Sequence, residues 1–126
     1  MENELVVYRC SKCGETVEIL NGECRSLTCC GEDMQEVVAN SVDAAVEKHV
    51  PTYTVENGLM TVRVGEVTHP MDEDHYIEWI AHVHDNRVCR VDLKPGDEPV
   101  AKFAYKQGAT IYAMCNKHGL WKADIK

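Results

Sequence analysis

The 126-residue chain has no apolar run near the roughly 18–20 residues of a membrane-spanning helix. Its first ten residues, MENELVVYRC, contain no apolar h-region, so no secretory leader is expected. It has no internal repeat and no low-complexity segment. Positive charge is scarce: 13 Lys and Arg stand against 21 Asp and Glu, for a net charge of -8. That balance argues against nonspecific nucleic-acid binding. An even cysteine count is also missing. The seven Cys cannot form a fully paired disulfide framework. Clustered Cys in a chain that reads as cytosolic are more often metal ligands.

What is present divides unevenly. Residues 1–37 carry 3 basic and 8 acidic side chains, and residues 38–126 carry 10 and 13. Cys10, Cys13, Cys24, Cys29 and Cys30 all lie in the first segment. That segment has too few apolar residues for a sizeable core, and a domain below about 40 residues usually needs a metal, disulfides or oligomerisation. Leu5–Tyr8 and Thr16–Leu20 read as short strands around a Cys-containing turn. Ser41–Lys48 could form a helical turn, ended by Pro51.

From residue 52 onward apolar residues recur with period two. Tyr53–Glu56 and Leu59–Val64 flank Asn57-Gly58, a hairpin signal. Tyr76–His84, Val88–Leu93, Val100–Tyr105, Thr110–Met114 and Leu120–Ile125 follow. Six or seven short strands at this spacing predict an immunoglobulin-like antiparallel β-sandwich. Alternation places Ile77, Trp79, Ala81 and Val83 on the core face of their strand. It leaves Glu78, His82 and His84 on a solvated face and puts Cys89 in the core with Val91 and Leu93.

Two constellations carry chemistry. Cys10-x2-Cys13-Gly14 lets two sulfurs meet one metal while turn N–H groups point at them. Cys29-Cys30 has no spacer, so a shared metal requires a bend, which Gly31 could permit. A redox dithiol and a strained vicinal disulfide are the competing readings. Four Cys in a segment too small to fold alone favour a metal. Sulfur-only tetrahedral sites hold zinc or iron, and spacing does not choose between them. Cys24 reads as a packed thiol, although it could replace another ligand. The second constellation is His49, His69, His75 and Cys115-x2-His118. Each is weak alone, but together, at loops and strand ends of a rigid sandwich, they favour a metal.

The sequence Tyr8-x-Cys10-x2-Cys13-Gly14, Cys29-Cys30-Gly31-Glu32-x-Met34, Glu47-Lys48-His49-Val50-Pro51, His69-Pro70-Met71, His75-x2-Glu78-Trp79-Ile80, Leu93-Lys94-Pro95-Gly96 and Cys115-Asn116-x-His118-Gly119-x-Trp121-Lys122 closely resembles desulfoferrodoxin, the two-iron class of superoxide reductase. The resemblance implies a mainly β protein with a small desulforedoxin-like domain, residues 1–37, and a catalytic sandwich, residues 38–126. It implies one iron on Cys10, Cys13, Cys29 and Cys30. A second iron would have His49, His69, His75 and His118 as equatorial imidazoles, axial Cys115, and an open sixth position.

The implied reaction is one-electron reduction of superoxide to hydrogen peroxide without dioxygen release. Lys48 would attract superoxide and help position water, and Glu47 would occupy the sixth position of the ferric resting state. A rubredoxin-like electron donor, a homodimer and a cytoplasmic location are also implied. The competing class is a non-enzymatic iron electron-transfer module, for which the four-Cys site alone would suffice. Acidic loops would allow a calcium ion, although nothing in the sequence supports one.

Overall fold

A computed structural model describes residues 4–23 and 26–126. Cys24 lies outside the described residues. The chain forms two compact units, Glu4–Val38 and Ala39–Lys126. No described helix is long and apolar enough to cross a membrane.

The first unit is built from β1 (Val7–Arg9), β2 (Thr16–Glu18), β3 (Thr28–Cys29), β4 (Glu32–Asp33) and β5 (Gln35–Val37). β1 pairs antiparallel with both β2 and β5, in the order β2-β1-β5. β3 and β4 form a separate hairpin closed by Cys30-Gly31. One buried cluster is Tyr8, Cys10 and Met34, with partly buried neighbours such as Val17, Ile19 and Leu27, and Leu5 and Val7 are the other buried apolar residues described in this unit. This is a core of the meagre size its sequence allows. β2 stops at Glu18 rather than at the expected Leu20, which is 87% exposed.

The second unit begins with α1 (Val46–His49), followed by β6 (Pro51–Glu56), β7 (Leu59–Val64), β8 (Ile77–His84), β9 (Arg87–Asp92), β10 (Val100–Ala104), β11 (Thr110–Cys115) and β12 (Gly119–Asp124). All pairings are antiparallel, in two sheets ordered β10-β7-β6 and β12-β11-β8-β9. Pro51 opens β6, an edge strand, where its missing N–H disrupts no ladder. The Asn57-Gly58 and Asp85-Asn86 turns have positive φ at both positions, the type I′ geometry that matches strand twist. Met60, Val62, Val64, Ala101 and Phe103 of one sheet pack with Ile77, Ile80, Ile111, Ala113 and Cys115 of the other.

Strict alternation fails on β8. Ile77 faces Cys115 and Trp79 faces Met114, so Glu78 is an extra residue in a β-bulge. The bulge places both Ile77 and Ile80 in the core cluster, although they are three residues apart. Beyond it Ile80 and His82 turn toward Phe103 and the core cluster, while Ala81 and Val83 are buried as expected on the opposite face of the strand. His82 is therefore buried and stacked on Phe103, with ring centroids 5.2 Å apart, and is not a surface residue. Cys89 corrects in the other direction. It lies opposite His82 on β9, the sheet edge, where no further strand covers it, and it is exposed.

Candidate metal centres

The first unit gathers Cys10, Cys13, Cys29 and Cys30, whose sulfurs all lie within 4.8 Å of one another. Cys10 ends the β1 hairpin arm, and Gly14, with φ of 80°, donates its N–H to the Cys10 carbonyl at 3.0 Å. The adjacent pair converges because Cys30 itself adopts a left-handed φ of 54°, followed by Gly31 at 76°. Cys30 thus occupies a turn position rather than continuing the pleat, which would send its side chain to the opposite face. Glu32 ties the two Cys loops together. It accepts from the Ser11 hydroxyl at 3.4 Å and pairs with Lys12 at 3.7 Å.

Cys13 and Cys29 sulfurs are 3.6 Å apart, and Cys29 and Cys30 sulfurs 4.0 Å. A tetrahedron with metal–sulfur bonds of about 2.3 Å has edges of about 3.8 Å. Cys29 and Cys30 are free thiols, so the vicinal disulfide is not formed. Backbone N–H groups of Cys13 and Lys12 hold the Cys10 thiol down at about 7. Sharing hydrogen bonds with Cys13 and Cys10 pushes Cys29 up to about 12 and raises Cys30. Four such sulfurs together become thiolates only when a cation displaces their protons.

The second group draws on five places in the sandwich unit. His49 ends α1, His69 follows the loop after β7, and His75 lies in a tight turn closed by reciprocal backbone bonds with Asp72. Cys115 is the last residue of β11, and His118 sits in the turn to β12. The four rings form a square. Successive centroids are 4.7, 4.8, 5.1 and 4.9 Å apart around the sequence His49, His69, His75, His118. Neighbouring rings are nearly perpendicular, and the diagonal from His49 to His75 is 6.4 Å. Cys115 is fully buried, and its sulfur lies with His49, His69 and His75 nitrogens within 4.8 Å. His118 completes the set through Nδ1, 3.1 Å from His49 Nε2 and 4.0 Å from the Cys115 sulfur.

Hydrogen bonding identifies which nitrogens are available. His49 Nδ1 donates to the Ala45 carbonyl and His69 Nδ1 to the Pro70 carbonyl, each at 2.7 Å. Burial lowers the pKa of His49, His69 and His75, that of His69 to about 4, so the rings are neutral near pH 7. The Nε2 atoms of His49 and His69 therefore carry lone pairs, yet they face each other at 3.2 Å. Two acceptors at that distance repel unless a cation lies between them. Metal–nitrogen bonds of about 2.1 Å at right angles would separate neighbouring nitrogens by about 3.0 Å. His75 Nε2 is also buried with no hydrogen-bond partner among the described residues. The donor set fits a metal.

Three supporting residues emerge from the structure. Asn116 rivets the Cys115–His118 loop to the His75 turn. Its Oδ1 accepts the Tyr76 N–H at 2.9 Å, and its Nδ2 donates to the Asp74 carbonyl at 3.1 Å. Trp121 stacks on His49 at 4.9 Å and donates from its indole to the His118 carbonyl at 3.1 Å. Their only sequence signal is membership of the Cys115-Asn116-x-His118-Gly119-x-Trp121 string. Gly65, with φ of 86°, had none. A Cβ there would lie 2.4–2.6 Å from the backbone of Glu47 and Lys48, while Val67 donates its N–H to the Glu47 carbonyl at 2.8 Å. Glu47 and Lys48 are exposed on α1. Glu47 lines a shallow depression of about 300 Å³ with Val46, Val50, Thr52 and Glu66.

Comparison with known proteins accounts for both groups. The family model for desulfoferrodoxin matches residues 41–124, and that for the desulfoferrodoxin N-terminal domain matches residues 2–37. A desulfoferrodoxin of Desulfarculus baarsii is 45% identical over 125 residues, covering 98% of this chain and 99% of that protein. One from Syntrophotalea carbinolica is 43% identical with the same coverage. The crystal structure of the superoxide reductase from Treponema pallidum aligns with a TM-score of 0.74 at 29% identity, over 95% of this chain and 98% of that one. The four-Cys and His–Cys groups correspond to the two iron centres of desulfoferrodoxin. From the two matched segments, which run in order along almost all of its length, the chain belongs to the desulfoferrodoxin family.

Proposed function

We propose that the protein is a superoxide reductase, which converts superoxide to hydrogen peroxide with one electron and two protons and releases no dioxygen. The observation that carries this reading is the pair of lone-pair-bearing nitrogens of His49 and His69 facing each other at 3.2 Å in a four-imidazole square beside a buried thiol. Relatives named as superoxide reductases support the same reading.

Residues 1–37 are assigned as the desulforedoxin-like domain, with iron held by Cys10, Cys13, Cys29 and Cys30. Residues 38–126 are the catalytic domain, with iron held by His49, His69, His75, His118 and Cys115. An iron held by these five residues would supply the reducing electron and a Lewis-acidic point for the anion. Burial keeps His49, His69 and His75 neutral, and imidazole ligands with a single thiolate would leave a ferrous centre with net positive charge. Lys48, exposed and next to His49, draws the anion and places water for proton delivery. Glu47 supplies a hard carboxylate suited to the ferric resting state. The four-Cys iron is structural and dimer-stabilising in a unit with few buried side chains of its own. A homodimer, a rubredoxin-like donor and a cytoplasmic location follow from the family resemblance. A purely electron-transferring module would have no use for a square of imidazoles reaching the surface at half-buried His75 and His118.

The test is an anaerobic pulse of superoxide onto the reduced, iron-loaded protein, with peroxide and dioxygen both measured. Peroxide without dioxygen is expected. Dioxygen in equal yield to peroxide would indicate dismutation, and no reaction would return the protein to the electron-transfer class.

A further inference from the structure

We propose that Lys117 is a second steering cation for the anionic substrate, acting across the histidine square from Lys48. This deepens the superoxide reductase reading and rests on it. Lys117 lies between Cys115 and His118, in the loop that Asn116 fastens to the His75 turn. Besides the two side-chain bonds of Asn116, its backbone N–H donates to the Tyr76 carbonyl at 3.1 Å. Three bonds thus hold the backbone of Lys117 beside His75, while its side chain is exposed. It makes no ion pair among the described residues.

Local charge gives this position its meaning. His49 and His75 are opposite corners of the square, 6.4 Å apart. At the first corner Lys48 and Glu47 act on His49 in opposite senses, and at the second Lys117 and Asp74 do the same to His75. The turn that carries His75 is Asp72-Glu73-Asp74, three exposed acids in succession. Without Lys117 that side of the mouth would repel an anion, in a protein whose net charge is already -8. Lys48 alone offsets only its own neighbour. At about 8–10 Å and low ionic strength, one unit charge changes an encounter rate roughly twofold, and salt that shortens the Debye length to that distance cuts the effect to about 1.3-fold. Reversing its sign changes the rate roughly four- to fivefold.

The experiment measures the second-order rate with superoxide against ionic strength. It compares the wild-type full chain with Lys117→Gln, Lys117→Arg, Lys117→Glu and Lys106→Gln, matched for iron content. Lys106 lies just after β10, by the Asn57-Gly58 turn at the end of the sandwich away from the four ligand histidines. Its substitution therefore controls for net charge. At low salt, Lys117→Gln should be slower roughly twofold and Lys117→Glu roughly four- to fivefold, each with a flatter or inverted salt slope. Lys117→Arg and Lys106→Gln should match wild type. A second readout is azide, a small monovalent anion, titrated optically into the ferric protein. Its Kd should rise roughly twofold in Lys117→Gln and return in Lys117→Arg. Wild-type rate, salt slope and azide affinity in Lys117→Gln, or an equal loss in Lys106→Gln, would overturn the proposal. If the wild type itself does not consume superoxide, the functional reading fails, and the azide titration still reports whether Lys117 sets the local field.

Discussion

Asn116→Ala should loosen the histidine centre without unfolding the sandwich. The substitution removes two hydrogen bonds at once, leaving the Tyr76 N–H and the Asp74 carbonyl without their side-chain partner. Each bond contributes about 1 kcal/mol, and a stranded buried donor costs up to about 3 kcal/mol. Asn116 and Tyr76 are only half-buried, so water recovers part of the loss. A net effect of about 2 kcal/mol is reasonable, and it falls on the alignment of His75 with Cys115 and His118. If that energy is felt in metal binding it corresponds to roughly 30-fold in affinity, within the range for residues that orient metal ligands. The assay is chelator competition, following iron at each centre by its own absorption, with the four-Cys centre as internal reference. Asn116→Asp keeps the acceptor for Tyr76 and loses the donor to Asp74, so it should fall between wild type and Asn116→Ala. Release of iron from the histidine centre of Asn116→Ala at the wild-type rate, or a lower urea midpoint of the whole domain without a selective loss at that centre, would refute the positioning role of Asn116.

Gly65→Ala should displace the Glu47–Lys48 backbone, because the new methyl would sit 2.4–2.6 Å from it on a residue already at positive φ. A changed ferric absorption band with an unchanged four-Cys band is expected, and identical spectra would remove Gly65 from the site. Glu47→Ala should also alter the ferric band while leaving the first encounter with superoxide nearly unchanged, and an unaltered ferric spectrum would exclude Glu47 as a ligand. Metal-free protein should lose stability on mild acidification. Burial holds folded His69 to about 4, whereas the unfolded chain takes up that proton near 6.5. Stability is thus full above about pH 6.5 and falls as pH drops toward 4, by up to about 3 kcal/mol from His69 alone. His49 and His75 shift in the same direction. A urea midpoint independent of pH between 7 and 4.5 would contradict the neutral, buried imidazoles on which the metal assignment depends.

Residue identity and local turn chemistry made much of this protein legible. Asn57-Gly58 announces its hairpin because its left-handed backbone is a local preference, and the strand pair Leu59–Val64 follows at the bounds expected. The two ligand constellations are likewise visible as strings, since Cys and His are too few for such clusters to arise casually. The β8 bulge was not legible. Nothing in Tyr76–His84 distinguishes an extra residue at Glu78 from regular alternation. The choice is made by the partner strand, where Cys115 must end β11 in the core while pairing with Ile77. A one-residue slip exchanges the faces of a strand, and so one bulge moved His82 from solvent to the stack on Phe103. Gly65 was illegible for a related reason: its missing side chain accommodates a backbone 17 residues earlier in sequence. The sequence pattern therefore names the ligands, whereas the geometry that aligns them is set by contacts between segments. It is there, at Asn116, Gly65 and the Glu78 bulge, that substitutions should separate site function from fold stability.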